Sequence, residues 1–185
     1  MKVYTRRGDD GTTGLLMGGR VSKSAIGPRA YGAVDEAVSA LGLARAECPP
    51  GSELHDLLVR VQRELFVVGA ELATAPDRRD RLEPGRTRVS PAMIVELEAD
   101  IDRVSAQFEP PQEFVLPGEN RLAAALDLAR TVVRRAEREA VEASGAGWLE
   151  PASHVVAYLN RLADLVYTLA RRQEGDSRSA RSPRS

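Results

Sequence analysis

Residues 54–72 read LHDLLVRVQRELFVVGAEL, and their spacing decides the fold class. Leu54, Leu58, Val61, Leu65, Val68 and Leu72 recur at intervals of three and four, the period of one face of an α-helix rather than the alternation of a strand. Ser52 stands at the N-cap position, just after the helix-breaking Pro49, Pro50 and Gly51. The same periodicity returns on both sides. Upstream, from about Arg29 to Glu47, Val34, Ala37, Leu41 and Ala44 form a stripe with Asp35 at its edge. Downstream, residues 76–89 (PDRRDRLEPGRTRV) mix charge with Pro and Gly and predict a long loop. Ser90 and Pro91 open a third helix whose stripe is Met93, Leu97, Ile101, Val104 and Phe108, and Pro110 and Pro111 stop it. A short apolar loop, QEFVLPG at 112–118, leads into a fourth helix from about Glu119 to Ala143, closed by Gly145 and Gly147. Pro151 starts a fifth, with Val155, Leu159, Leu162, Val166 and Leu169 inward and Asn160, Asp164, Tyr167 and Arg171 on a polar stripe beside them. The expectation is an all-α protein, a five-helix bundle in one domain over residues 1–174. A loop at 1–28 precedes it, and a tail at 175–185 is too poor in apolar residues to order itself.

Composition narrows the function classes. Of the 185 residues, 43% are hydrophobic and 29% charged, enough apolar material for one real core. A net charge of -1 gives no global pull toward nucleic acid or anionic lipid, so any anion site must be local. With one cysteine, Cys48, and two histidines, His55 and His154, an intrachain disulfide is excluded, and a zinc centre or other protein-held metal is not expected. The first residues lack a leader-like apolar run and no stretch could span a bilayer, so a cytoplasmic, membrane-free protein is expected.

Two stretches carry more charge and glycine than a bundle needs. Residues 5–23 begin TRRGDDGTTGLL and continue through Gly18, Gly19 and RVSK. Glycines permit close backbone approach, so such a loop can aim several N–H groups at one anion. No Gly-Lys-Ser/Thr follows at Walker spacing, and by composition alone the segment could equally be a flexible arm. Residues 129–138, ARTVVRRAER, place Arg130, Arg134 and Glu137 on one helical stripe beside an apolar stripe of Ala129, Val133, Ala136 and Ala140. Arginines this dense call for carboxylates or a bound anion unless the face is simply solvated. Phe114, in the 112–118 loop, would by itself be read as a plug at the end of the core.

Taken in order, TRRGDDGTTGLL with RVSK, AVDEAVSALG, FVLPG, ARTVVRRAER and YLNRLADLVYTLAR resemble the PduO-type ATP:cob(I)alamin adenosyltransferases, from about Val3 to Arg172. The resemblance implies a five-helix bundle assembled as a homotrimer with active sites between subunits. It implies ATP as co-substrate with Mg²⁺ on its phosphates, and cobalamin as substrate and product. By position, Thr5, Arg6, Gly8, Asp9, Gly11, Thr12 and Thr13 would wrap the phosphates, with Lys23 a further contact. Arg134, Arg135, Glu137 and Asn160 would complete the nucleotide site from the adjacent subunit, and Asp164 would support them. Arg130 would pair with Asp35 across the interface beside the corrinoid, and Phe114 would fill the space under the corrin and displace its lower ligand. Two positions depart from the family pattern: Val38 stands where VDELN has asparagine, and Glu119 stands where a second glycine follows LPG.

The implied reaction suits these residues. Reduced cobalt is the nucleophile, so the protein must position ATP and neutralise the triphosphate rather than supply a base. A cob(II)alamin reductase and an adenosylcobalamin-dependent mutase are the implied partners. The competing readings are a non-catalytic corrinoid carrier and, disfavoured by the net charge, an RNA-binding arginine helix.

Overall fold

The computed structural model describes residues 4–181. Five α-helices make the bundle: α1 (Ile26–Ala46), α2 (Glu53–Leu72), α3 (Pro91–Ser105), α4 (Arg121–Gly145) and α5 (Val155–Glu174). Every residue of the predicted 54–72 stripe is buried, as are Val34, Ala37, Leu41 and Ala44 of α1 and Ala129, Val133, Ala136 and Ala140 of α4. Helix α4 lies between α1 and α5, while α2 packs on α1 and α3 on α5. Alanines dominate the α1 and α4 seams, which lets these two helices approach closely along their length.

Local chemistry accounts for the helix ends. Ser52 accepts from the His55 N–H at 3.2 Å, as its N-cap position predicts. Asn120 caps α4 by accepting from Ala123 N at 2.9 Å and donates to Gln173 O at 2.7 Å, tying the start of α4 to the end of α5. Helix α1 begins at Ile26, three residues before the predicted start, because Pro28 in its first turn has no N–H to leave unsatisfied. Residues 76–81, predicted as loop, form a short 3₁₀ helix with Pro76 at its first position.

The all-α expectation needs one correction. Within the predicted loop 1–28, β1 (Thr12–Gly14) and β2 (Arg20–Ser22) form an antiparallel hairpin with Thr13 opposite Val21. Gly18 and Gly19, at φ 93° and 90°, turn the chain between them, and Leu15 N donates to Gly19 O. The hairpin docks on the bundle where Leu16 N donates to Ala73 O at 2.9 Å and Arg78 donates to Met17 O at 3.2 Å.

Three polar staples, two on loops and one between α5 and α2, tie the elements together. Glu71 accepts from Val89 N at 2.7 Å and from the Ser153 hydroxyl at 2.6 Å. Trp148 Nε1 donates to Leu72 O at 2.8 Å. The Tyr158 hydroxyl donates to Glu64 at 2.7 Å, and its burial together with that carboxylate raises its pKa well above the ordinary phenol value. The tail expected from 175 is described to Arg181. Its backbone runs antiparallel to the 112–118 loop, Leu116 N donating to Arg178 O and Ala180 N to Phe114 O. Its last four residues lie outside the described residues.

Candidate functional site

The expected site residues fall into two groups that the fold assembles separately. In the N-terminal group, the Thr12 hydroxyl donates to Asp10 Oδ1 at 2.8 Å and accepts from Arg20 Nε at 3.1 Å and Nη2 at 2.6 Å. Arg20 also donates to Arg7 O at 2.5 Å, which closes the chain around residues 7–12. Hydrogen bonds from the Thr12 backbone and hydroxyl, with a smaller pull from Arg20, hold the Asp10 carboxyl below its ordinary value. Lys23 donates from Nζ to Gly8 O at 2.8 Å and from its backbone to Gly11 O at 2.9 Å. Gly11 sits at φ 79°, and Arg6, a non-glycine residue, takes the left-handed conformation at φ 60°. Thr5 accepts from Arg7 N, Asp9 N donates to Arg6 O, and Thr13 sits half-buried in β1. Sequence reasoning missed Asp10 and Arg20, the pair that shapes this loop. Their signal was weak, because charged side chains in a glycine-rich segment read equally well as solvated.

The second group lies on α4 and α5. Asn160 donates to Glu137 at 2.9 Å, so the polar residue beside the α5 seam finds the carboxylate on the α4 stripe. Arg134, one turn before Arg138, is exposed, and no ion pair or hydrogen bond among the described residues occupies its guanidinium. Arg135 is already engaged, in an ion pair with Glu36 of α1. Asp164 pairs with Arg161 at 2.8 Å, and Arg161 reaches Glu98 of α3 at 3.0 Å. No hydrogen bond or ion pair among the described residues links this group to residues 5–23.

The remaining expected residues mark two further surfaces. Asp35 is exposed at the rim of an open, largely apolar groove of about 410 Å³, shared with Tyr31, Val38, Phe66 and Leu16. Its floor includes the α2 residues Leu65 and Gly69. Phe114 is not a core plug: it is 87% exposed, and with Tyr167 and Arg181 it lines a cavity of about 450 Å³. The departure at Glu119 has a local partner, since Arg178 of the C-terminal segment meets it at 3.1 Å.

Arg130 carries a feature that no sequence pattern exposed. Its Nε lies 3.6 Å from Asp127 Oδ1, and Asp127 is buried and also paired with Arg171. Arg171, assigned by periodicity to the polar stripe, is in fact buried and also meets Glu174 at 3.2 Å. A lone acid among the alanines and leucines of ALDLAR gives no signal until α5 is packed against it.

Comparison with known proteins bears on the family and the fold. The profile of the family described as cobalamin adenosyltransferase matches residues 3–173. The chain is 41% identical over 173 residues to the corrinoid adenosyltransferase of Citrobacter freundii, covering 94% of this chain and 95% of that protein. It is 41% identical over 181 residues to the corrinoid adenosyltransferase PduO of Salmonella typhimurium, covering 97% of this chain but only 52% of that longer protein. Among solved structures, a phenylalanine-to-alanine variant of the PduO-type ATP:corrinoid adenosyltransferase from Lactobacillus reuteri, complexed with cobalamin and ATP, superposes with a TM-score of 0.85. The identity is 30%, over 98% of this chain and 100% of that one. An arginine-to-lysine variant of the same enzyme, complexed with ATP, gives 0.84 at 31% identity over 97% and 100%. The chain therefore belongs to the cobalamin adenosyltransferase family.

Proposed function

We propose that the protein transfers the 5′-deoxyadenosyl group of ATP to the cobalt of cob(I)alamin, giving adenosylcobalamin and triphosphate. The observation that carries this reading is Arg134. It stands exposed and, among the described residues, unpaired beside the Glu137–Asn160 pair, in a fold whose relatives are solved with ATP and cobalamin. Cobalt(I) donates its electron pair to C5′, the bond from C5′ to the triphosphate oxygen breaks, and the triphosphate leaves with that bond's electrons. No protein base is required. The residues bind, orient and neutralise: guanidinium forks match phosphate oxygens, each charged hydrogen bond contributing roughly 1.5 to 3 kcal/mol.

In this reading Thr5, Arg6, Gly8, Asp9, Gly11, Thr12, Thr13 and Lys23 wrap the phosphates, and Arg134, Arg135, Glu137 and Asn160 close the nucleotide site from a neighbouring subunit of a homotrimer. Two features support the shared site. Among the described residues no hydrogen bond or ion pair links the two groups, and the groove beside Asp35 leaves large apolar side chains, Phe66 and Leu16, open to solvent. Arg135 would exchange Glu36 for phosphate on binding, a trade between two anions. Among the described residues no three His, Cys, Asp or Glu converge as a ligand set. The Mg²⁺ accompanying ATP would therefore be held chiefly by triphosphate oxygens. Phe114 and Tyr167, facing one cavity, would exclude water and an axial ligand from the lower corrin face. The reading places the enzyme in the cytoplasm, receiving its electron from a cob(II)alamin reductase and passing its product to a mutase.

The test is anaerobic incubation with ATP, Mg²⁺ and chemically reduced cobalamin. The expected result is the adenosylcobalamin absorption spectrum with one triphosphate released per turnover. Tight corrinoid binding with no conversion and no ATP affinity by calorimetry would replace the enzyme with a carrier.

A further inference from the structure

The buried charges beneath Arg130 form a network that the transfer reaction as described does not use. Asp127 pairs through Oδ2 with Arg171, while its Oδ1 faces Arg130 Nε at 3.6 Å. Arg171 continues to Glu174 Oε2 at 3.2 Å. The side chains of Asp127, Arg171 and Glu174 are 7%, 3% and 0% exposed. Two acids and two arginines balance to zero charge, yet the hydrogen bonding is incomplete: Arg130 Nε, Arg171 Nε and both Glu174 carboxylate oxygens are buried without a hydrogen-bond partner.

As bundle glue this arrangement is poor. Burying charges costs desolvation that their attraction repays only with excellent geometry and complete hydrogen bonding, and apolar residues of the same volume often hold two helices as well. Its geometry suits another task. The carboxylate lies beside the Nε edge of the Arg130 fork as an ion pair without a hydrogen bond, and the two Nη atoms also have no hydrogen bond among the described residues. At its other end the network reaches the second aromatic surface: Arg171 Cζ lies 5.5 Å from the centroid of the Tyr167 ring, and Tyr167 lines the Phe114 cavity.

We infer that Asp127 is a positioning residue for Arg130, anchored by Arg171, and that this network fixes the direction in which Arg130 presents its free Nη atoms at the subunit interface. The inference rests on the reading of Arg130 as an interface and corrinoid-side residue. Without Asp127 the arginine remains in place and charged, but it samples several rotamers rather than one.

Asp127→Asn, Arg130→Ala and the double variant test it. The readouts are kcat, KM for ATP, KM for cobalamin, and the yield of four-coordinate cob(II)alamin from its electronic spectrum. Each is taken per mole of protein folded by circular dichroism. Asp127→Asn should lower kcat and the four-coordinate yield roughly tenfold, and should lower them no further when Arg130 is already alanine. Its KM for ATP should stay within about twofold, which a general loss of structure would not permit. Should Asp127→Asn fail to fold, Asp127→Asn/Arg171→Gln removes one charge of each sign and should give the same split. Losses from Asp127→Asn that add fully to those of Arg130→Ala, or unchanged kcat and four-coordinate yield, overturn the inference. Wild-type behaviour of Arg130→Ala alone would instead remove Arg130 from the site and overturn the reading beneath it.

Discussion

Arg134 and Arg135 are neighbours in sequence and differ in circumstance. One is exposed with no guanidinium partner among the described residues, and the other is paired to Glu36 of α1. Charge on the leaving triphosphate is best met by the group whose donors are unspent. Arg134→Ala should therefore cut kcat by about tenfold to a hundredfold, while the same change at Arg135 should cost less. Steady-state rates with preformed cob(I)alamin decide this, and near-wild-type turnover of Arg134→Ala would remove it from the site. Phe114 makes a second case at this scale. A ring 87% exposed contributes little to the core, so Phe114→Ala should leave the melting temperature nearly unchanged. Its loss should appear as a lower yield of four-coordinate cob(II)alamin, with less damage when cob(I)alamin is supplied ready-made. Equal losses in both assays would argue against displacement of the lower ligand.

Helix α1 owes its position to a residue without a side chain. A Cβ on Gly27 would lie 2.3 Å from Trp148 Cζ2, and the Trp148 ring is pinned by its hydrogen bond to Leu72 O. Three elements meet there: the first turn of α1, the end of α2 and the turn after α4. Gly27→Ala gains helix propensity but must move the indole, and overpacking of this kind costs roughly 1 to 3 kcal/mol. A fall in melting temperature of about 3 to 10 °C is expected for a chain of this size. An unchanged or raised melting temperature would show that the indole repacks freely. The hairpin β1–β2 is the other element whose placement matters, because its docking on Ala73 and Arg78 carries residues 5–23 to one end of α2.

The bundle as a whole holds a carboxyl in its interior at the end of α5, with consequences for its pH response. Burial pushes the Glu174 carboxyl up against the pull of Arg171, and Asp127 and Glu119 add to the push. The folded state thus keeps a proton at pH values where the unfolded chain has released it. The stabilising contribution is complete below the ordinary carboxylate value and is lost as pH rises through the raised one. Glu174→Gln fixes the neutral form. The melting temperature of the variant relative to wild type should therefore climb as pH rises above the ordinary carboxylate range. A flat difference over that rise would mean that Arg171 offsets the burial completely.

What the sequence by itself determined is whatever depends on short-range period and on end signals. The stripe from Leu54 to Leu72, the cap at Ser52, the buried alanines of ARTVVRRAER and the adjacency of Asn160 to the α5 seam follow from 3.6 residues per turn and from backbone groups that need partners. The order of the glycine-rich, VDEAV, FVLPG and arginine segments likewise carries the resemblance to the family. Tertiary packing alone decided the rest. Arg171 falls on the polar stripe beside the α5 seam because periodicity locates a face and not the charge waiting opposite, and only α4 packed against α5 brings Asp127 to it. Gly18 and Gly19 permit a hairpin but do not demand one until Leu16 and Met17 have a bundle to bond to. Phe114 stands out from its loop because the strand-like pairing with residues 178–180 fixes that loop, a contact between segments more than sixty residues apart that no local pattern encodes. Local rules act through neighbours in sequence, whereas charge pairing and burial act through neighbours in space.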